Sequence, residues 1–239
     1  MRIFTLISFI ILSLHCTPQK KVYHLTYSDT LMIIGENAYK THDFTAAIPA
    51  LDSCIGLNPI NDQCRYTRAK IALEMNEFGL AENLLKSVIA LTPKDAAAWN
   101  LLGLSMTEQK KYDSAILCYQ NSVALNASNS KFFANWAKNE YLRGDLEHAD
   151  RLYGTAIFLE PTYGSHFRNR AEVRKKLGKK EDALADIEEA IKLNPHDEEA
   201  ISKRNEIEGY HLLPILVFGI SFFGILAFLY FRRKSKSEL

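Results

Sequence analysis

Little in this sequence points to enzymatic chemistry. No Gly-x-Gly-x-x-Gly or Gly-x-x-x-x-Gly-Lys stretch occurs, so no phosphate cradle is expected. The seven histidines include no His-Glu-x-x-His pair and no His/Asp cluster at metal-ligand spacing, and His42, His148 and His196 fall near helix starts or turns; surface histidines are the expectation. Serines and aspartates are scattered without a nucleophile signature. Glycine (11) and proline (7) are too sparse for collagen-like or low-complexity chains, and four cysteines are too few for a disulfide scaffold. A formal charge of +1 gives no field to hold nucleic acid. We therefore expect no catalytic residue, no cofactor, no metal and no small-molecule substrate.

What is present begins with segregated charge. The ends, 1–21 and 212–239, hold seven of the 29 Lys/Arg and one acid, Glu238, which leaves the middle acidic. Residues 212–231 (LLPILVFGISFFGILAFLYF) carry no charge, and a helix of that length matches the roughly 30 Å hydrocarbon layer. Arg232, Arg233, Lys234 and Lys236 follow at once, and positive-inside bias puts this basic tail (232–239) in the cytoplasm. At the other end, Ile3 to Leu14 is an apolar run of secretory-signal length behind Arg2. Together these predict a signal segment (1–16), a leader (17–27) and exported repeats on a single C-terminal span. Cys16, at the end of the run, resembles the lipid-attachment site of bacterial lipoproteins, though His15 stands where a small residue is usual; lipidation and ordinary cleavage nearby both remain open.

The interior repeats itself. Pro59 and Pro93 are 34 residues apart, as are Pro161 and Pro195, with Ala127 in phase between them. Leu57, Leu91, Leu125, Leu159 and Leu193 form a second column; Ala47, Ala81, Ala115, Ala149 and Ala183 a third. Gly35, Ala69, Gly103, Ala137 and Ala171 form a fourth, always small. Small residues let two helices approach, and the proline column ends the second helix of each unit, because the residue before proline is pushed out of the α region. Each unit thus predicts two helices: 28–61, 62–95, 96–129, 130–163 and 164–197, with a capping helix over 198–211. Asp95 and Ser128 are expected N-caps. Trp99, Phe133, Phe167, Tyr119 and Tyr153 fall on repeat columns and are assigned to the core.

The third unit, Trp-Asn-Leu-Leu-Gly followed by Ala-Ile-Leu-Cys-Tyr and Leu-Asn-Ala, resembles the tetratricopeptide repeat family. The fourth and fifth units are similar; the first two are looser, with Arg65 and Arg68 where Trp or Leu is commoner and Pro49 inside a helix. The resemblance implies an all-α fold, a right-handed α-solenoid of five helix-turn-helix repeats, with a groove lined by the first helices. By phase that groove should present Met32, Glu36, Tyr39, Tyr66, Lys70, Asn100, Leu104, Lys131, Lys138, Tyr141, Arg168, Glu172 and Lys175. Its C-terminal part is basic through Lys131, Lys138, Arg168 and Lys175, which suggests an acidic peptide partner or simply a solvated face. The Lys/Asn/Arg set by which one subgroup holds chaperone C-termini is incomplete here.

Cys54 and Cys64 lie ten residues apart across one interhelical turn and could bridge in an oxidising compartment. Two buried thiols are the expectation, as for Cys118. The function that follows is a non-catalytic, membrane-anchored scaffold presenting its groove to a protein or peptide, in bacterial envelope assembly at the inner membrane. The alternative is a tail-anchored adaptor with its repeats in the cytosol, which would have no use for Ile3 to Leu14.

Overall fold

A computed structural model of the chain describes residues 26–209. The signal segment with Cys16, nearly all of the leader, the 212–231 span and the basic tail lie outside them. No helix among the described residues is long and apolar enough to cross a membrane. All regular structure described is α-helical: α1 Tyr27–Lys40, α2 Phe44–Leu57, α3 Asp62–Glu74, α4 Phe78–Leu91, α5 Ala96–Glu108, α6 Tyr112–Leu125, α7 Ser130–Arg143, α8 Leu146–Leu159, α9 Gly164–Lys176, α10 Lys180–Leu193 and α11 Glu198–Glu208.

The chain forms two compact units, one ending at Thr67 and one beginning at Arg68. In the first, α1 packs on α2 with Gly35 against Leu51; a Cβ at Gly35 would come within 2.6 Å of Leu51 Cγ. Cys54 and Cys64 are joined by a disulfide, with Cα atoms 6.4 Å apart and both residues fully buried. This corrects the expectation of two thiols. The turn between α2 and α3 folds Cys64, in the first turn of α3, back against the buried face of α2. The ten-residue spacing alone could not reveal that approach.

In the second unit the helices pack in pairs: α5 on α6, α7 on α8, α9 on α10, each pair touching the next, with α4 before them and α11 behind. The small column carries this packing. At Gly103 a Cβ would meet three ring atoms of Tyr119 at 2.8–3.0 Å, whereas Ala171 fits beside Ile187 in the last pair. Burial of Tyr119 removes its hydroxyl from water. It is compensated by a chain in which that hydroxyl donates to Thr107 Oγ1 (3.1 Å), which donates to Asn139 Oδ1 (2.9 Å).

The turns repeat as strictly as the helices. His42, Asn76, Lys110, Gly144 and Gly178, 34 residues apart, all take left-handed φ values between 56° and 98°. Asp43, Asp95, Asn129, Asp145 and Asp197 each cap a following helix through a side-chain oxygen. Ser128, the expected cap of α7, is displaced by its neighbour Asn129, and bonds Asn126 instead. Helix α11 ends at Glu208 because Gly209 turns left-handed, φ 81°.

Candidate functional site: a cleft on the first helices

The first helices α7, α9 and α11 and the second helix α8 enclose a cleft of about 470 Å³. Lys138, Tyr141 and Leu142 come from α7, Tyr153 from α8, Asn169 and Glu172 from α9, and Lys203 and Glu206 from α11. Lys138, Glu172 and Glu206 are 34 residues apart, so one column of the repeat supplies one row of the wall.

Ion pairs between successive first helices line the cleft. Lys138 Nζ lies 2.7 Å from Glu108, Lys203 Nζ 3.1 Å from Glu172, and Lys175 Nζ 2.6 Å from Glu206. Tyr141 donates its hydroxyl to Glu172 at 3.3 Å, and Lys176 stands over the Tyr141 ring at 4.2 Å. Partial burial acts to raise the Glu172 pKa, but bonding to Lys203, the field of Lys175 and the Tyr141 hydroxyl hold it below the ordinary carboxylate value. The hydrogen bond to Glu206 raises that of Lys175. Neither the Asn169 side-chain amide nor the Tyr153 hydroxyl has a hydrogen-bond partner among the described residues.

Of the groove residues expected from sequence, Lys138, Tyr141 and Glu172 line this cleft. Arg168 is half-buried, bound to Asp197 and Glu199. Lys131 stands 5.6 Å over the Tyr163 ring. Asn100 is buried and accepts from Asn135 at 3.1 Å. Tyr66 and Lys70 are half-buried, and Tyr39 stacks on Phe44 within the first unit. The basic surface expected over Lys131, Lys138, Arg168 and Lys175 is therefore largely neutralised. Acids some thirty residues further along or back, on or capping the adjacent first helix, reach across to Lys138, Arg168 and Lys175. Counting one helix face at a time misses them.

Sequence reasoning also missed Leu142, Asn169, Lys203, Glu206 and Tyr153, the last assigned to core because it falls on a repeat column; it is buried, yet forms part of the wall. Two histidine expectations change. His166 is 2% exposed, and burial lowers its pKa; its column, Cys64, Ala98, Phe132, His166 and Ala200, is buried throughout. His148 meets Glu140 and Asp145 at metal-ligand spacing, but Arg143 bridges the two carboxylates at 2.7 and 3.1 Å and the Trp136 indole donates to Glu140, so the group is an ion-pair network.

Tetratricopeptide repeat models match residues 38–104, 96–129 and 169–197, together just over half of the chain. The chloroplast psbB mRNA maturation factor Mbb1 of Chlamydomonas reinhardtii is 32% identical over 108 residues, covering 42% of this chain and 16% of that one. This chain thus matches less than a fifth of that relative's length. Among solved structures, the thermophilic repeat protein TTC0263 of Thermus thermophilus superposes with a TM-score of 0.63 at 17% identity, covering 75% of this chain and 98% of that one. YrrB, a repeat protein described as having an unusual peptide-binding site, gives 0.59 at 14%, covering 73% and 90%. At these identities the likeness shows the fold alone. Motif columns, helix pairs and matching repeat models agree, and the chain belongs to the tetratricopeptide repeat family.

Proposed function

We propose that the first-helix cleft of the second unit holds an extended segment of a partner protein, and that the chain is a non-catalytic scaffold. The observation that carries this is Asn169, whose side-chain amide has no hydrogen-bond partner among the described residues and can donate to and accept from a peptide backbone, in a cleft it shares with Tyr141 and side chains of both charges. A ligand that is merely acidic finds the lysines already paired. With Lys138, Lys203 and Glu206 all paired within the chain, the wall favours a segment that offers its backbone amide groups rather than its charges. The peptide-binding description of YrrB supports the same use of this fold. Replacing Asn169 with Ala in the full chain should reduce partner capture at least about tenfold, the scale of lost backbone hydrogen bonds at a desolvated site. Capture at the wild-type level would remove the cleft from the account.

We further infer that the repeats are exported and tethered by residues 212–231, in service of holding or assembling envelope proteins. The uncharged span, the basic residues after it and the Ile3 to Leu14 run support this topology. A buried Cys54–Cys64 disulfide favours it as well, because such bonds persist in oxidising compartments. Protease added to intact spheroplasts should remove the repeats and spare a tag after Leu239. Repeats protected until permeabilisation would place them in the cytoplasm and favour the tail-anchored adaptor.

A further inference from the structure

Where a repeat column departs from its usual residue and leaves apolar surface open to solvent, packing within the chain has not used that surface. Two such departures lie in the second unit, both away from the first-helix cleft. The first is a cavity of about 420 Å³ between α4, α5 and α6, walled mainly by the apolar Ile89, Trp99, Leu102, Met106, Leu117 and Cys118, with Lys86, Ser114 and Asn121 completing the lining. One repeat on, the place of Leu102 is taken by Trp136, whose indole packs against the core around Leu152 and edge-on to His148. Another repeat on, Arg170 occupies it, bonded to Asp186. Here no such side chain fills the space. Leu117 stands at the mouth, 63% exposed, where its counterparts in the second unit are Asn83, Arg151 and Ala185.

The second departure is Phe158 on α8, 84% exposed, in a column otherwise made of Gly56, Ala90, Ala124 and Lys192. One exposed ring needs no explanation by itself. A ring without a cavity, on a chain with a cavity of the kind that the next repeat lines with a ring, forms a complementary pair. Knob and hole are different patches of one surface, the arrangement that joins copies head to tail. The hole suits an aromatic ring for a second reason: the Met106 and Cys118 sulfurs, 3.7 Å apart, give it polarizable walls.

We propose that Phe158 of one copy of this chain seats in the Leu102–Met106–Leu117–Cys118 cavity of another. Neither Phe158 nor any residue of this cavity lines the first-helix cleft. The reading stands independently of what the cleft binds.

The test places photoreactive benzoylphenylalanine at position 158 of the full chain in the producing cells. Irradiation should give an adduct of two copies, with the cross-link mapped to the peptide holding Met106 or Leu117. Leu102→Trp, which gives this repeat the ring that the next one has, should reduce the adduct about tenfold, the scale of burying one aromatic side chain. Leu117→Glu serves as the second blocking variant, because it changes an exposed residue whose counterparts are polar or small. Hydrogen exchange of α5 and α6 checks that both variants fold. No two-copy adduct, an adduct mapped elsewhere, attachment to another protein or to lipid, or wild-type yield in both folded variants would overturn the proposal.

Discussion

The third and fifth repeats place the same backbone around opposite interiors. Where the third has Leu102, Met106 and Cys118, the fifth has Arg170, Arg174 and Asp186 at the same three positions of the 34-residue register. In the third, apolar walls leave a cavity, and burial pushes the Cys118 thiol up to about 11. In the fifth, Asp186 takes two bonds from Arg170 at 2.6 and 2.9 Å and one from Arg174 at 2.9 Å, while Arg174 also reaches Asp150 at 3.0 Å. The helix geometry is set by the small column and the turn; this layer only has to be filled or neutralised. One solution leaves a hole and the other closes it with charge.

Removing one partner from the buried charge cluster is the largest way to break this comparison. Asp186→Ala should cost about 3–5 kcal/mol, because two guanidinium groups lose a carboxylate that is almost wholly buried. The loss should appear as faster hydrogen exchange in α9 and α10. By contrast, Arg170→Leu, Arg174→Met and Asp186→Cys made together, copying the third repeat, should be within about 1–2 kcal/mol of wild type, because an apolar set can replace a buried charge cluster. If the triple variant is as damaged as Asp186→Ala, the two interiors are not interchangeable.

Gly103→Ala sharpens the same comparison at the close-packed column. Three Tyr119 ring atoms within 3.0 Å of the new methyl predict a loss of about 1–3 kcal/mol, measured by urea unfolding, although the fifth repeat carries Ala171 there, packed with Ile187. The inter-repeat ion pairs give a pH test. Glu82, bonded to Lys86 at 2.6 Å and Lys111 at 2.9 Å, is pulled down to about 2, and Asp150 with Lys179 repeats that pairing two units on. A depressed carboxylate stabilises the fold above its unfolded pKa and loses that contribution as pH falls through the folded value. Thermal stability should therefore decline between about pH 4.5 and 2, and Glu82→Gln should start lower and decline less over that range. The smallest effect is at the turn, where Lys110 holds a φ of 61° that Gly178 provides in the fifth repeat; Lys110→Gly should gain about 0.5 kcal/mol, the strain relieved less the added unfolded-state entropy.

Helix pairing was legible because four sequence columns each encode a local cause: a helix stop, an apolar stripe and two close approaches. The left-handed turns were not, because only Gly144 and Gly178 announce themselves, while His42 and Lys110 take the same φ under tertiary constraint. Lys138 and Tyr141 were legible as surface of a first helix, but their partners Glu108 and Glu172 belong to neighbouring helices, so the balance of charge in the cleft was not. Burial of His166 could have been read from its column, and the Cys54–Cys64 contact needed the fold.

The central claim is that the Asn169–Tyr141 cleft receives an extended peptide segment. The most direct measurement selects random twelve-residue peptides on the full chain and compares their affinities across Asn169→Ala, Tyr141→Ala and Phe158→Ala. The account predicts that selected peptides lose at least about tenfold on each cleft variant and bind Phe158→Ala as they bind wild type. Peptides that ignore both cleft substitutions would contradict it.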